Sequence, residues 1–162
     1  MMKFRTANGN DVETLSAIAI LAKAHWGYPS SWLKLWEESL TVTLEQVQNN
    51  TIFVCELQGE IVGFIGISAE ANRAEIEHLW VLPEFMGRGI GRALFKHALE
   101  WCRANAIDKL KVVSEPNAQG FYQALGGKVV GEESLIPQPR VLPVLQFSID
   151  SSDANTPRLN PY

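Results

Sequence analysis

Two cysteines and three histidines in 162 residues leave little for disulfide or metal chemistry. Cys55 and Cys102 sit in apolar runs, with neither a CxxC pair nor histidine spacing. That pattern excludes a disulfide framework and reads as two buried free thiols. The histidines are scattered, so no metal site is expected. Long apolar runs are missing too. The longest, Leu15 to Ala24, is interrupted by Ser16 and Lys23, whereas a membrane span takes about 20 residues. The opening Met1-Met2-Lys3-Phe4-Arg5 lacks an apolar core and a small-residue cleavage site, so no signal peptide is expected and the compartment reads as reducing and cytoplasmic. There is no basic excess: 14 Lys+Arg against 18 Asp+Glu give a net charge of -4. Neither nucleic acid nor an anionic membrane surface is expected as a partner. What is present is ordinary, 46% hydrophobic and 20% charged, which excludes disorder of the whole chain. The length suits one domain, read as residues 1–149, followed by a polar tail over 150–162.

The periodicity changes along the chain. Lys3 to Ala7 reads as a strand. Asn10 with Glu13 reads as a capped helix start, followed by Val12, Leu15, Ile18, Ala19 and Ala22 at helical spacing. Ser30 to Val47 reads as a second helix or a helical pair, with Trp32 and Trp36 on one face. Ile52–Leu57 and Glu60–Ser68 form a hairpin around Gln58-Gly59. Ala69 to Arg73 reads as a loop and Ala74 to Leu82 as the next strand, ended by Pro83. A helix follows to about Asn105, then a strand at Lys109–Ser114, a short helix at Ala118–Leu125, and strands at Lys128–Ile136 and Val141–Ile149. The order βααβββαβαββ implies an α/β (α+β) fold, a single mixed sheet with flanking helices.

The strongest local signal is Gly87-Arg88-Gly89-Ile90-Gly91-Arg92, directly after a strand and opening a helix. A helix start exposes amides that no carbonyl within the helix satisfies, and its dipole favours an anion. Glycines admit a phosphate close to that backbone, and Arg88 and Arg92 add charge. A Walker loop needs a GKS or GKT ending, which is missing here. A dinucleotide fingerprint needs GxGxxG, whereas the spacing here is GxGxG after antiparallel strands.

With Ile76-Glu77-His78-Leu79-Trp80-Val81-Leu82-Pro83 before it, this turn resembles the acetyl-CoA segment of the GNAT superfamily of N-acetyltransferases. Glu115-Pro116-Asn117-Ala118-Gln119-Gly120-Phe121-Tyr122, continuing to Leu125-Gly126, resembles that superfamily's Asn and Phe-Tyr segment. Met86 departs from its usual Gln or Arg. The resemblance implies a mostly antiparallel central sheet flanked by helices, and acetyl-CoA as acetyl donor. It implies a bulged strand whose main-chain groups at Leu79 and Val81 hold the pantetheine arm, with pyrophosphate on the amides of Gly87 through Arg92. Asn117 is implied to touch the cofactor where two parallel strands splay.

The implied chemistry makes particular demands. A lysine-like amine with an unperturbed pKa of about 10.4 is free base in about one molecule in 2,500 at pH 7, so a base is needed. Glu77 matches the base position of polyamine acetyltransferases in the superfamily; Glu75 is the competing choice, and either can attract a cationic acceptor. Tyr122 matches the general acid that protonates the departing thiolate, against the alternative of a core aromatic. His78 alternates to the other strand face and reads as packed. The resemblance places acceptor choice at the first helical pair, where Trp26 and Tyr28, with Trp32 and Trp36, are candidate walls for a cationic amine, against ordinary core packing for the tryptophans. Arg140, in the loop from Pro137, points instead to a carboxylate on the acceptor, or is a surface charge. The expected activity is direct transfer of acetyl to a small-molecule primary amine in a ternary complex, compatible with a homodimer. The alternatives are a protein N-terminal or lysine acetyltransferase and a CoA-binding module without turnover.

Overall fold

The computed structural model describes residues 1–135 and 140–149. Among the described residues, seven strands form one sheet in the order β1-β2-β3-β4-β5-β7-β6. They are β1 (Met2–Thr6), β2 (Thr51–Leu57), β3 (Glu60–Glu70), β4 (Arg73–Val81), β5 (Lys109–Val113), β6 (Lys128–Leu135) and β7 (Arg140–Ser148). The helices are α1 (Val12–Ala24), α2 (Ser30–Leu40), α3 (Leu44–Asn49), α4 (Ile90–Ala104) and α5 (Gln119–Ala124). β4 and β5 run parallel, while β1–β2, β2–β3, β5–β7 and β6–β7 are antiparallel. Among the described residues, no helix is long and apolar enough to cross a membrane.

The chain groups into two compact units. The first comprises Met1–Ser68 and Glu77–Lys96. Its core joins Leu15, Ile18 and Ala19 of α1, Leu40 at the end of α2 and Val42 just after it, and Ile52, Val54 and Phe64 of the hairpin. The second, among the described residues, comprises Ala69–Ile76, 97–135 and 140–149, with Leu110, Val112, Leu145 and Phe147 buried.

Local chemistry explains most boundaries. Gln58 and Gly59 both take positive φ, 53° and 82°, the pairing that a two-residue hairpin turn needs. Ser30–Val47 resolves as a pair, because α2 ends at Leu40 and Thr43 opens α3 with a capping box to Gln46. The first helical start is corrected. The box is Asn8 with Asp11, around a 3₁₀ turn at Gly9–Asp11, not Asn10 with Glu13. Arg5 decides this: its guanidinium bonds both Asp11 carboxylate oxygens, at 2.8 and 3.1 Å, and fixes Asp11 where it also accepts the Asn8 amide. The Ala69–Arg73 loop is shorter than expected, because β3 runs on to Glu70 and β4 starts at Arg73. The tail from 150 and the segment 136–139 lie outside the described residues.

Candidate active site

The glycine turn is built by β4, a 3₁₀ turn at Pro83–Phe85, and α4. Gly87 and Gly89 hold φ of +79° and +80°, where a side chain is strained. A Cβ at either position would meet nothing within 4 Å, so both face open space. The first helical bond runs from the Ala93 amide to the Gly89 carbonyl, at 3.0 Å. The amides of Ile90, Gly91 and Arg92 therefore have no carbonyl four residues back within the helix. Arg88 and Arg92 are exposed, and the Arg88 guanidinium lies 5.0 Å over the Phe85 ring. The Ile90 side chain is buried, so only its amide can serve a ligand. An open cradle of helix-start amides with two guanidiniums beside it fits a pyrophosphate group.

On β4, burial alternates from Arg73 to His78 and then gives way to three half-buried residues, Leu79, Trp80 and Val81. The parallel register with β5 covers Arg73–Glu75 against Lys109–Lys111. Leu79 and Val81 lie beyond it. Gly63 on β3 admits the approach of this segment: a Cβ there would stand 2.9 Å from the Trp80 carbonyl oxygen. Glu77 is exposed and accepts a 2.7 Å hydrogen bond from the Ser68 hydroxyl. Glu75 is half-buried and 3.8 Å from the Lys111 ammonium, which also lies 3.3 Å from Glu133. His78 is buried, as its alternation requires. Trp80 Nε1 donates to its Nδ1 at 3.1 Å, and burial pushes its pKa down to about 4, so it is neutral at pH 7.

The second unit holds the remaining candidates. Asn117 is exposed in a 3₁₀ turn at Pro116–Ala118. Tyr122, on α5, is 6% exposed, its ring edge-on to Phe121 at 5.1 Å and Phe147 at 6.4 Å. Burial raises its phenol above the ordinary value, so it keeps its proton at neutral pH. The surface-charge reading of Arg140 is corrected. Its guanidinium pairs with Glu115 at 3.4 Å, with side chains 15% and 12% exposed.

The aromatic residues after α1 behave differently from one another. Trp26 is 41% exposed and edge-on to His25. Tyr28, Trp32 and Trp36 cluster, with centroids 4.9 to 6.1 Å apart. The Tyr28 ring already faces a cation of the chain itself. Lys23, 9% exposed, places its ammonium 5.2 Å from the Tyr28 centroid and 4.5 Å from that of Trp36. The sequence marked Lys23 only as an interruption of an apolar stretch. Both thiols are buried and free, and burial pushes Cys102 up to about 12 and raises Cys55. Among the described residues, no group of three or more His, Cys, Asp or Glu could hold a metal ion.

Residues 18–127 match the family model described as the Acetyltransferase (GNAT) family. An uncharacterized N-acetyltransferase of Methanocaldococcus jannaschii is 36% identical over 116 residues, covering 64% of this chain and 51% of that protein. A putative ribosomal-protein alanine N-acetyltransferase of Bacillus subtilis is 33% identical over 76 residues, covering 45% of this chain and 50% of its own. The chain spans about half the length of the curated relatives it matches. Among solved structures, the PaiA N-acetyltransferase of Thermoplasma acidophilum in complex with coenzyme A superposes with a TM-score of 0.75 at 19% identity. That match covers 91% of this chain and 99% of the other, and it shows a shared fold.

Proposed function

The chain belongs to the acetyltransferase (GNAT) family, and we propose that residues 1–149 act as one catalytic domain, an N-acetyltransferase that takes acetyl from acetyl-CoA. The acceptor in this reading is a primary amine of a small molecule, reached by direct transfer in a ternary complex in the cytoplasm. The observation that carries the reading is the outward-open turn at Gly87 and Gly89 at the start of α4, flanked by Arg88 and Arg92.

Acetyl-CoA, when bound, supplies an acetyl group activated as a thioester. The Gly87–Arg92 amides hold its pyrophosphate. Main-chain groups of Leu79 and Val81 hold the pantetheine arm and polarise the thioester carbonyl, with Asn117 as a further contact. Glu77, directly or through one water, takes the proton from the attacking amine; its exposed carboxylate supports that role. Glu75, beside Lys111, is the electrostatic neighbour. Tyr122 keeps its proton until the leaving sulfur needs one. Cysteine thiols held protonated by burial support direct transfer over an acetyl-cysteine route. A protein N-terminus is the second reading for the acceptor, favoured by the name of the Bacillus subtilis relative.

The test is a panel of small amines and N-terminal peptides, read as CoA thiol released from acetyl-CoA. The expected result is amine-dependent release with an N-acetylated product. Release only with peptides moves the acceptor to the second reading, and no release with any amine refutes catalysis.

A further inference from the structure

Beside the cofactor strand stands an aromatic box filled by the chain's own cation. The rings of Tyr28, Trp36 and Trp80 face the Lys23 ammonium at 5.2, 4.5 and 5.9 Å from their centroids. Trp36 and Trp80 pack against the core of the first unit, and Trp80 is fixed further by its hydrogen bond to His78. Trp32 meets Tyr28 and Trp36 at 6.1 and 5.8 Å and closes the group. Lys23 lies in the last turn of α1, where the helix dipole favours a positive charge. Lysine is almost never buried without compensation, and aromatic faces contribute to it. Several aromatic faces converging on one point are also how a protein binds an organic cation. Here that point is taken.

We propose that Lys23 sets acceptor choice by occupying this box, admitting amines that carry a single positive charge and turning away those that carry a second ammonium. The proposal rests on the acetyltransferase reading, in which Leu79 and Val81, the neighbours of Trp80, hold the pantetheine arm. A second ammonium drawn to the same rings meets Lys23 within a few ångström, in a half-buried setting where like charges repel more strongly than in water. Lys23 also fills the volume between the rings. The acceptor class left is a monoamine whose remainder is neutral or anionic.

Butylamine and putrescine share a four-carbon chain and differ by one ammonium, so their kcat/KM ratio, at saturating acetyl-CoA, reads the effect. The wild type is expected to favour butylamine by about tenfold or more. Lys23→Met, which keeps an unbranched side chain of similar length without charge, is expected to reduce that preference to within about threefold, chiefly through KM for putrescine. Lys23→Arg keeps a cation over the rings and is expected to retain it. Lys23→Gln replaces Lys23→Met should the latter not fold. Calorimetric binding of putrescine reads the box without turnover, so failure of the acetyltransferase reading does not obscure the result. No binding to the wild type and measurable binding to the uncharged variant are expected. Equal or better turnover of putrescine by the wild type, wild-type binding of putrescine, or an unchanged ratio in the folded uncharged variant overturns the proposal.

Discussion

Glu77 and Tyr122 are assigned opposite proton duties, and their surroundings differ accordingly. Glu77 is exposed and hydrogen-bonded only to a hydroxyl among the contacts described above, while Tyr122 is buried against Phe121 and Phe147. Tyr122→Phe keeps the ring contacts and removes the proton, so kcat is expected to fall by roughly 10²–10⁴ with acetyl-CoA affinity nearly unchanged. Glu77→Gln is expected to lower kcat at neutral pH and to recover partly as pH rises, because solution then supplies more free amine. Pre-steady-state rates and a pH–rate profile, run beside Glu75→Gln, check both. A wild-type profile for Glu77→Gln with loss in Glu75→Gln transfers the base to Glu75. These residues were legible as candidates because each sits in a segment, 76–83 or 115–126, that resembles the family's. Lys23 and the Glu115 partner of Arg140 were not, since each depends on contact with residues distant in sequence, which no local spacing encodes.

At the scale of elements, the order of strands and helices along the chain and the glycine turn followed from period changes and turn chemistry, while the order of strands in the sheet and the details of β4 did not. Whether Gly63 is merely a weak strand residue or a clearance for the next strand is decided only by packing. Its missing Cβ leaves room for the Trp80 carbonyl, and Ile90 and Leu94 of α4 crowd the same point at 3.3 Å. Gly63→Ala is expected to cost about 1–3 kcal/mol, as overpacking does, and to raise KM for acetyl-CoA several-fold by moving the Leu79–Val81 main chain. Urea unfolding and steady-state kinetics measure the two effects; an unchanged KM would show that the shift is absorbed by α4. The capping error has a similar origin. Asn8 and Asp11 cap the first turn because Arg5, on β1, recruits Asp11, a tertiary contact that outranks local pattern.

At the scale of the whole molecule, the first unit carries the glycine turn, Glu77 and the Lys23 box, and the second carries Asn117, Tyr122 and the Arg140–Glu115 pair. A chain of net charge -4 has no general attraction for a polyanionic cofactor. That attraction is therefore proposed to be local, in helix-start amides and two exposed arginines. The turn at Gly87–Arg92 is the proposed seat of acetyl-CoA. Gly89→Val tests it most directly, because a β-branched residue at a φ of +80° distorts the turn and projects into the open cradle. Titrating acetyl-CoA into wild type and Gly89→Val by calorimetry, with circular dichroism verifying the fold, is the decisive measurement. Saturable one-to-one binding by the wild type and a loss of at least about tenfold in the folded variant are expected. Equal affinities for the two proteins, or no binding by the wild type, would contradict it.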